Sequence, residues 1–327
     1  MAASLLDPLL AFLAVAWERR GWLVIVAFVA AVVAEFVDRD RSRYVHVVAW
    51  VFFAVFWASM VPYFVFVQKS IVEGLGAIVA VPLSAAVAYR IVQGRQSLFV
   101  LTRVVAIGGL VYFPVVELAL VRQPLIEIVT DHTAFLMQLI GYDPTVVSGM
   151  TVTGPDGTVY TIAEKTYPYD STFRFEGTTR PITYTIAMAC TGIGSMAIFG
   201  GLIGAVSAPA SRKVRALLVS IPVIYALNLI RNVFIGIGFG EQYFQVFPGF
   251  IMWAFGLDSP AMVSYIVTDR IIAQLLSVVA LIAITWLVVR ELPEVLDPIE
   301  DALFVATGRE YDLQAALGVG TVGESAD

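Results

Sequence analysis

Cysteine occurs once in these 327 residues, at Cys190. A single cysteine excludes an internal disulfide and a cysteine-rich metal site. Histidine occurs twice, at His46 and His132 in separate segments, so a histidine-based metal site is not expected either. Charge is sparse: 14% of residues are charged, against about 25% in a soluble domain. Lysine is scarce beside arginine and the acids, and the net charge is −6. Acidic, lysine-poor loops suit a high-salt cytoplasm, where carboxylates hold water and long ammonium stems are avoided. The N-terminus lacks a basic region followed by an apolar run and a small-residue cleavage site, so no removable signal peptide is expected. Nothing in the chain calls for a cofactor or a nucleic-acid partner.

What the chain does have is apolar length. Hydrophobic residues make up 59%, the mean hydropathy is +0.85, and several runs reach the length needed to cross a bilayer. The expected fold is an all-α polytopic membrane protein with about 7–8 transmembrane helices and a small extracytoplasmic insert containing a β-hairpin. Residues 1–121 read as N-terminal transmembrane helices. Their spans are expected at Gly21–Val37, Val45–Val67, Gly74–Tyr89 and Ser97–Val121, with a short candidate at Leu5–Trp17. Residues 122–181 read as an interfacial helix, Arg122–Tyr142, followed by the insert. Within the insert, TVT-GPDG-TVYTI alternates polar and apolar residues around a turn, the pattern of a hairpin. Residues 182–289 read as a transmembrane core with spans Ile182–Ser207, Ala216–Phe239 and Val263–Val289. Residues 290–327 read as an acidic tail with a short amphipathic part near Leu303.

The basic short loops at 38–44, 90–97 and 208–215 fall on one side of this layout, which the positive-inside rule makes cytoplasmic. The insert is then extracytoplasmic and the C-terminal tail cytoplasmic. In this arrangement Cys190, Arg231 and Arg270 lie at one depth in three successive spans, about 10–12 Å below the outer surface at 1.5 Å per residue.

Each of the three has an ordinary reading alone. A lone buried cysteine behaves as a small hydrophobe. An intramembrane arginine can snorkel to the headgroups or pair with Glu117 or Asp269. Together they suggest chemistry. A nucleophilic cysteine must be a thiolate, burial opposes that, and a nearby guanidinium favours it. A second guanidinium can hold the oxyanion formed at an attacked carbonyl. One cysteine and two arginines thus make an acyl-transfer site without histidine. Asn228, three residues before Arg231, is expected on the same helix face and to fix that guanidinium. Asp269 is expected to point away from Arg270. Gly192, Gly194, Gly200, Gly201 and Gly204 suit close helix packing, or room for a substrate segment beside Cys190.

Ala189-Cys190-Thr191-Gly192-Ile193, Asn228-Leu229-Ile230-Arg231-Asn232 and Arg270 at the start of the last span resemble the exosortase/archaeosortase family of membrane cysteine transpeptidases. The resemblance covers about 182–289. Bacterial members usually carry histidine at the third position, and arginine there is similar to the archaeosortase A type. The resemblance implies catalytic roles for Cys190, Arg231 and Arg270. It also implies the partners: surface proteins with a C-terminal Pro-Gly-Phe signal, including S-layer glycoprotein, and a membrane lipid as acyl acceptor. The implied location is the cell membrane, with the active site near the extracytoplasmic face.

Three rivals remain at the level of sequence. A protease of the same site would only hydrolyse. An intramembrane serine protease using Ser195 needs a histidine that the last three spans do not supply. A transporter would use Arg231 and Arg270 to bind an anion and would not need Cys190.

Overall fold

The structure is a computed structural model that describes residues 17–162, 165–177 and 180–319. The candidate span Leu5–Trp17 lies outside these residues except for its last position. The order is α1 (Trp17–Val37), α2 (Arg39–Pro62, extended by a π-turn to Val67), α3 (Ile71–Val92), α4 (Phe99–Glu117) and α5 (Ala119–Leu139). Five short strands follow: β1 (Thr145–Val147), β2 (Thr151–Thr153), β3 (Val159–Thr161), β4 (Thr172–Phe175) and β5 (Ile182–Thr185). Then come α6 (Ile193–Ala205), α7 (Ala210–Gly240), α8 (Pro248–Phe255) and α9 (Ala261–Tyr265). A π-helical stretch, Ile266–Ala273, carries α9 into α10 (Gln274–Glu291), and α11 (Leu296–Thr307) and α12 (Leu313–Leu317) close the described chain.

Among the described residues six helices are long and apolar enough to cross a bilayer: Arg20–Val37, Arg39–Val67, Ile71–Val92, Gln96–Glu117, Ala210–Gly240 and Ala261–Glu291. The chain is thus a mostly helical, multi-pass membrane protein with small antiparallel sheets. The expected span Ile182–Ser207 is not one helix. Its first part is strand β5, a 3₁₀ turn covers Met188–Thr191, and α6 has only 13 residues. Thirteen residues rise about 20 Å, short of the ~30 Å hydrocarbon core. Hydropathy missed this because Ile-Thr-Tyr-Thr-Ile is apolar enough for a span, while its β-branched and aromatic alternation favours a strand.

Loop boundaries also move. The charged stretch within 38–44 reads as a loop in the sequence, but α2 starts at Arg39. The Asp38 side chain caps it by accepting from the N–H groups of Asp40 and Arg41. Ser211–Arg215 was expected as a loop and instead forms the first turns of α7.

The described chain forms two compact units. The first comprises the described residues of Met1–Phe113, Ala197–Leu217 and Val288–Asp327. Its core joins α1, α2, α3 and α4 through Val24, Phe28, Trp50, Val87, Ile91 and Phe99. His46 is fully buried there, stacked on Phe99 with its Nδ1 2.9 Å from Thr102 Oγ1. Glu35 pairs with Arg103 at 2.5 Å, which satisfies a carboxylate close to the end of an apolar run. The acidic segment after α10 folds back onto basic residues. Arg212 makes two bonds to Glu294, at 2.6 and 3.0 Å, and Arg95 reaches Asp301 and Glu310 with its guanidinium 3.6 Å from the Phe304 ring centroid.

Within this unit α6 crosses α4 at very close range. A Cβ added at Gly201 would strike the Val104 carbonyl, and one at Gly108 would come within 3.0 Å of the Ala197 carbonyl. The small-residue reading of Gly201 therefore holds. Gly201→Val is expected to lower thermal stability in detergent by about 1–3 kcal/mol, the usual range for overpacking. At Gly194 an added Cβ meets nothing within 4 Å. Gly194→Ala should leave the melting temperature unchanged or slightly raised, and equal losses at both positions would contradict the close crossing.

The second unit comprises Pro114–Met196 and Leu218–Leu287. In it, α5 buries Ile126, Val129, Thr130, Thr133 and Met137 on one face, the spacing of an amphipathic helix, and is not among the six spans. The hairpin forms as expected, with Thr151 opposite Thr161 and Thr153 opposite Val159. A second, three-stranded antiparallel sheet has the order β1-β4-β5. Phe173 and Tyr184 lie on it and enter the core with Ile186, Ile235, Val263 and Ile266.

Candidate functional site

Cys190 sits in a tight connection between strand and helix. Strand β5 is prolonged by the Ile186 N–H bonding Ser171 O at 2.7 Å. The chain then turns, with the Cys190 N–H donating to Ala187 O at 2.9 Å and the Thr191 hydroxyl donating to Met188 O at 2.7 Å. Gly192 ends the turn in the left-handed region, at φ +79°, where a side chain costs roughly 1–2 kcal/mol. A Cβ there would also come within 3.3 Å of the Asn228 side chain. The Ala-Cys-Thr-Gly-Ile string is therefore a backbone device that presents the thiol from a fixed turn. Cys190 is not eight residues inside a spanning helix, as its hydropathy suggested.

The turn is held from α7. Asn228 Nδ2 and Asn232 Nδ2 both donate to the Cys190 carbonyl, at 2.6 and 2.8 Å. Asn228, Arg231 and Asn232 share a helix face by their spacing. The expected job of Asn228 is thus corrected: it holds the cysteine backbone, and a carboxylate holds Arg231. Asn232 is fully buried, and its Oδ1 accepts from the Tyr184 hydroxyl at 3.4 Å. The same hydroxyl lies 4.0 Å from Cys190 Sγ.

Arg231 Nη2 meets Asp269 Oδ1 at 2.6 Å, and Arg270 Nη1 meets Asp269 Oδ2 at 3.3 Å. Asp269 therefore joins the two arginines, contrary to the expectation that it points away from Arg270. Asp269 and Arg270 both lie in the π-helical stretch Ile266–Ala273. The Asp269 carboxylate offers one oxygen to each guanidinium, and the long arginine side chain at 270 reaches back across the angle between neighbours. Arg270 Nη2 also donates to the Tyr265 hydroxyl at 3.1 Å. Such π-segments recur at functional positions.

Cys190 lies outside the six spans and is half-buried. Burial pushes its thiol up, the Arg231 guanidinium is the largest influence pulling it down, and the Asp269 carboxylate works against that pull. The arrangement brings together all three residues expected from sequence. It adds Asn232 and Tyr184, and of the two candidate partners for the arginines, Glu117 and Asp269, it is Asp269 that pairs with both. The Asn-x-x-Arg-Asn spacing contained a signal for Asn232. Tyr184 and the shared use of Asp269 depend on a strand and on helix packing that hydropathy does not reveal.

His132 belongs elsewhere, its Nδ1 2.6 Å from the Tyr225 hydroxyl. Among the described residues no group of three or more His, Cys, Asp or Glu side chains is placed to hold a metal ion.

Residues 17–262 match the profile of a family described as transmembrane exosortase. A protein named archaeosortase A from Haloferax volcanii is 44% identical over 309 residues, covering 91% of this chain and 97% of the relative. Another of that name, from Natronomonas pharaonis, is 39% identical over 289 residues, covering 87% of each. No solved structure matches.

Proposed function

The chain belongs to the transmembrane exosortase family, and from that premise we propose that it is a cysteine transpeptidase that processes C-terminal sorting signals of surface proteins. The observation that carries this reading is the Cys190 thiol in a rigid turn, with Arg231 as the charge that most favours its thiolate.

In this mechanism the Cys190 thiolate attacks the carbonyl carbon of the scissile peptide bond. A C–S bond forms and the carbonyl electrons move onto oxygen, where the Arg270 guanidinium stabilises them. Collapse of the intermediate breaks the C–N bond, and the departing amine takes a proton as it leaves with the apolar C-terminal segment. The thioester carbonyl is then attacked by an amine or hydroxyl of a membrane lipid. The C–S bond breaks and the thiolate returns. Water in place of the lipid gives simple hydrolysis. Asp269 is committed to two guanidiniums and arginine does not release its proton. Proton transfer therefore falls to water or to the incoming acceptor.

The expected signal is Pro-Gly-Phe followed by an apolar helix, and S-layer glycoprotein is the expected main client. The contacts of Arg95 and Arg212 with the segment after α10 tie the basic loop at 90–97 and the basic start of α7 to the tail, which supports one common, cytoplasmic side for all three. We place the insert and Cys190 on the outward side, which requires the short α6 to carry the chain across a locally thinned bilayer. A transporter that used both arginines to bind an anion is disfavoured, because Asp269 already occupies them.

The test is mass spectrometry of a client C-terminus in cells with and without the protein. A trimmed, lipid-coupled terminus should appear only with it. A trimmed terminus without lipid would leave the protease and remove the transpeptidase. An untrimmed client in both strains would remove both.

A further inference from the structure

Strand β5 is an edge. It pairs with β4 on one side, and among the described residues no strand pairs with its other side. The phase of the ladder follows from two contacts. The Ile186 N–H points to β4, where it bonds Ser171 O. The Thr185 and Thr172 hydroxyls touch at 2.9 Å, as directly opposed side chains do in a non-hydrogen-bonded pair. By alternation, Thr183 and Thr185 turn their main-chain N–H and C=O groups to the open edge. The strand, Ile-Thr-Tyr-Thr, carries none of the charged side chains that usually blunt an exposed edge.

The open edge borders a cavity of about 220 Å³. Its lining includes Thr183 and Thr185 on one side, Tyr160 from the hairpin strand β3 on another, Met262 and Tyr265, and one charged residue, Arg180. Tyr265 is also the residue whose hydroxyl accepts from Arg270. The cavity thus shares a wall with the second arginine, and its edge strand runs on within five residues to Cys190.

We propose that the open edge of β5 and the adjoining cavity bind the extended peptide on the N-terminal side of the bond to be cut, as an added strand. This rests on the proposed cysteine chemistry and names its substrate-binding subsite. A segment arriving from the aqueous domain of a surface protein is extended and needs partners for its backbone, which the Thr183 and Thr185 groups supply. Alternate side chains of that segment enter the cavity, where Tyr160, Met262 and Tyr265 favour an apolar body and Arg180 a polar or acidic end. The apolar part of the signal, beyond the cut, needs lipid and has no use for a strand edge outside the six spans.

The experiment uses the full chain in lipid nanodiscs and a synthetic peptide carrying the Pro-Gly-Phe signal with its upstream residues. Thr183→Pro removes an N–H that faces the open edge and spares the ladder to β4, a position where an edge strand tolerates proline. It is expected to raise KM for the peptide roughly tenfold, the effect of losing about 1.4 kcal/mol. The rate of Cys190 alkylation by iodoacetamide, which needs no strand pairing, should stay at the wild-type value. A parallel series keeps the enzyme unchanged and N-methylates one upstream peptide bond at a time. KM should rise at every second position, the period of a strand. A flat series overturns the proposal, whether or not Thr183→Pro folds, and so does an unchanged KM in folded Thr183→Pro. Loss of peptide cleavage in Cys190→Ala with a flat series would refute strand addition alone. Normal cleavage by Cys190→Ala would instead refute the cysteine chemistry on which it rests.

Discussion

Cys190→Ala is expected to leave client C-termini unprocessed while the protein accumulates to its normal level. Alanine removes the only thiol of the chain, and deletion of a nucleophile costs roughly 10³-fold or more in turnover. The substitution should not disturb folding. The two asparagines hold the Cys190 main-chain carbonyl, and the left-handed position belongs to Gly192, so the turn does not depend on the sulfur. Cys190→Ser should behave alike, because Asp269 is paired with both arginines, His132 with Tyr225 and His46 with Thr102, which leaves none of them to take a serine proton. Processing is read by mobility and mass of the client, and protein level by immunoblot. Near-normal processing by Cys190→Ala would remove the enzyme mechanism and return the two arginines to a transport or structural role.

The second large effect concerns how Arg231, Asp269 and Arg270 divide their work. Arg231 pulls the Cys190 thiol down and Asp269 opposes it. The sign of each substitution follows. In detergent, Arg231→Ala should move the midpoint of Cys190 alkylation to higher pH, and Arg231→Lys should do so by less. Asp269→Asn should move it to lower pH, because a negative charge near the thiolate is gone. Turnover of a model peptide should nonetheless fall in Asp269→Asn, since both guanidiniums lose the carboxylate that fixes them. Arg270→Lys should leave the midpoint nearly in place and slow turnover, because lysine keeps the charge but not the planar fork that meets Asp269 and Tyr265 together. Equal midpoint shifts for Arg231→Lys and Arg270→Lys would mean that the two arginines act as one positive field around Cys190. A midpoint that rises in Asp269→Asn would mean that its main task is to hold Arg231 in place.

Removing Asp269 also bears on stability. An arginine inside a membrane is expensive, about 2.5–3.5 kcal/mol at the bilayer centre on insertion scales. Two adjacent arginines in neighbouring spans are tolerable when one buried carboxylate serves both. The arrangement carries one net positive charge before the thiol ionises, and the thiolate then neutralises it.

Composition and order alone were enough to establish a multi-pass helical membrane protein, because a bilayer demands apolar runs whose length is readable residue by residue. The same holds for the hairpin at 151–161, since a Gly-Pro-Asp-Gly turn between alternating segments leaves few other conformations. Cys190, Arg231 and Arg270 stood out because charge and thiol are rare in this chain, and rarity needs no coordinates. Three features waited for the fold. Hydropathy averages over a window and cannot separate a strand, a turn and a 13-residue helix from one continuous span, so the place of Cys190 came only with the backbone. The angle between neighbours on a helix placed Asp269 away from Arg270, and only the packing of α7 beside the last span, with Arg231 on the other carboxylate oxygen, showed Asp269 shared by both arginines. The spacing put Asn232 on the face of Arg231, but its hold on the Cys190 carbonyl, the place of Tyr184 and the open edge of β5 depend on contacts between separate segments, and such contacts are decided by tertiary packing.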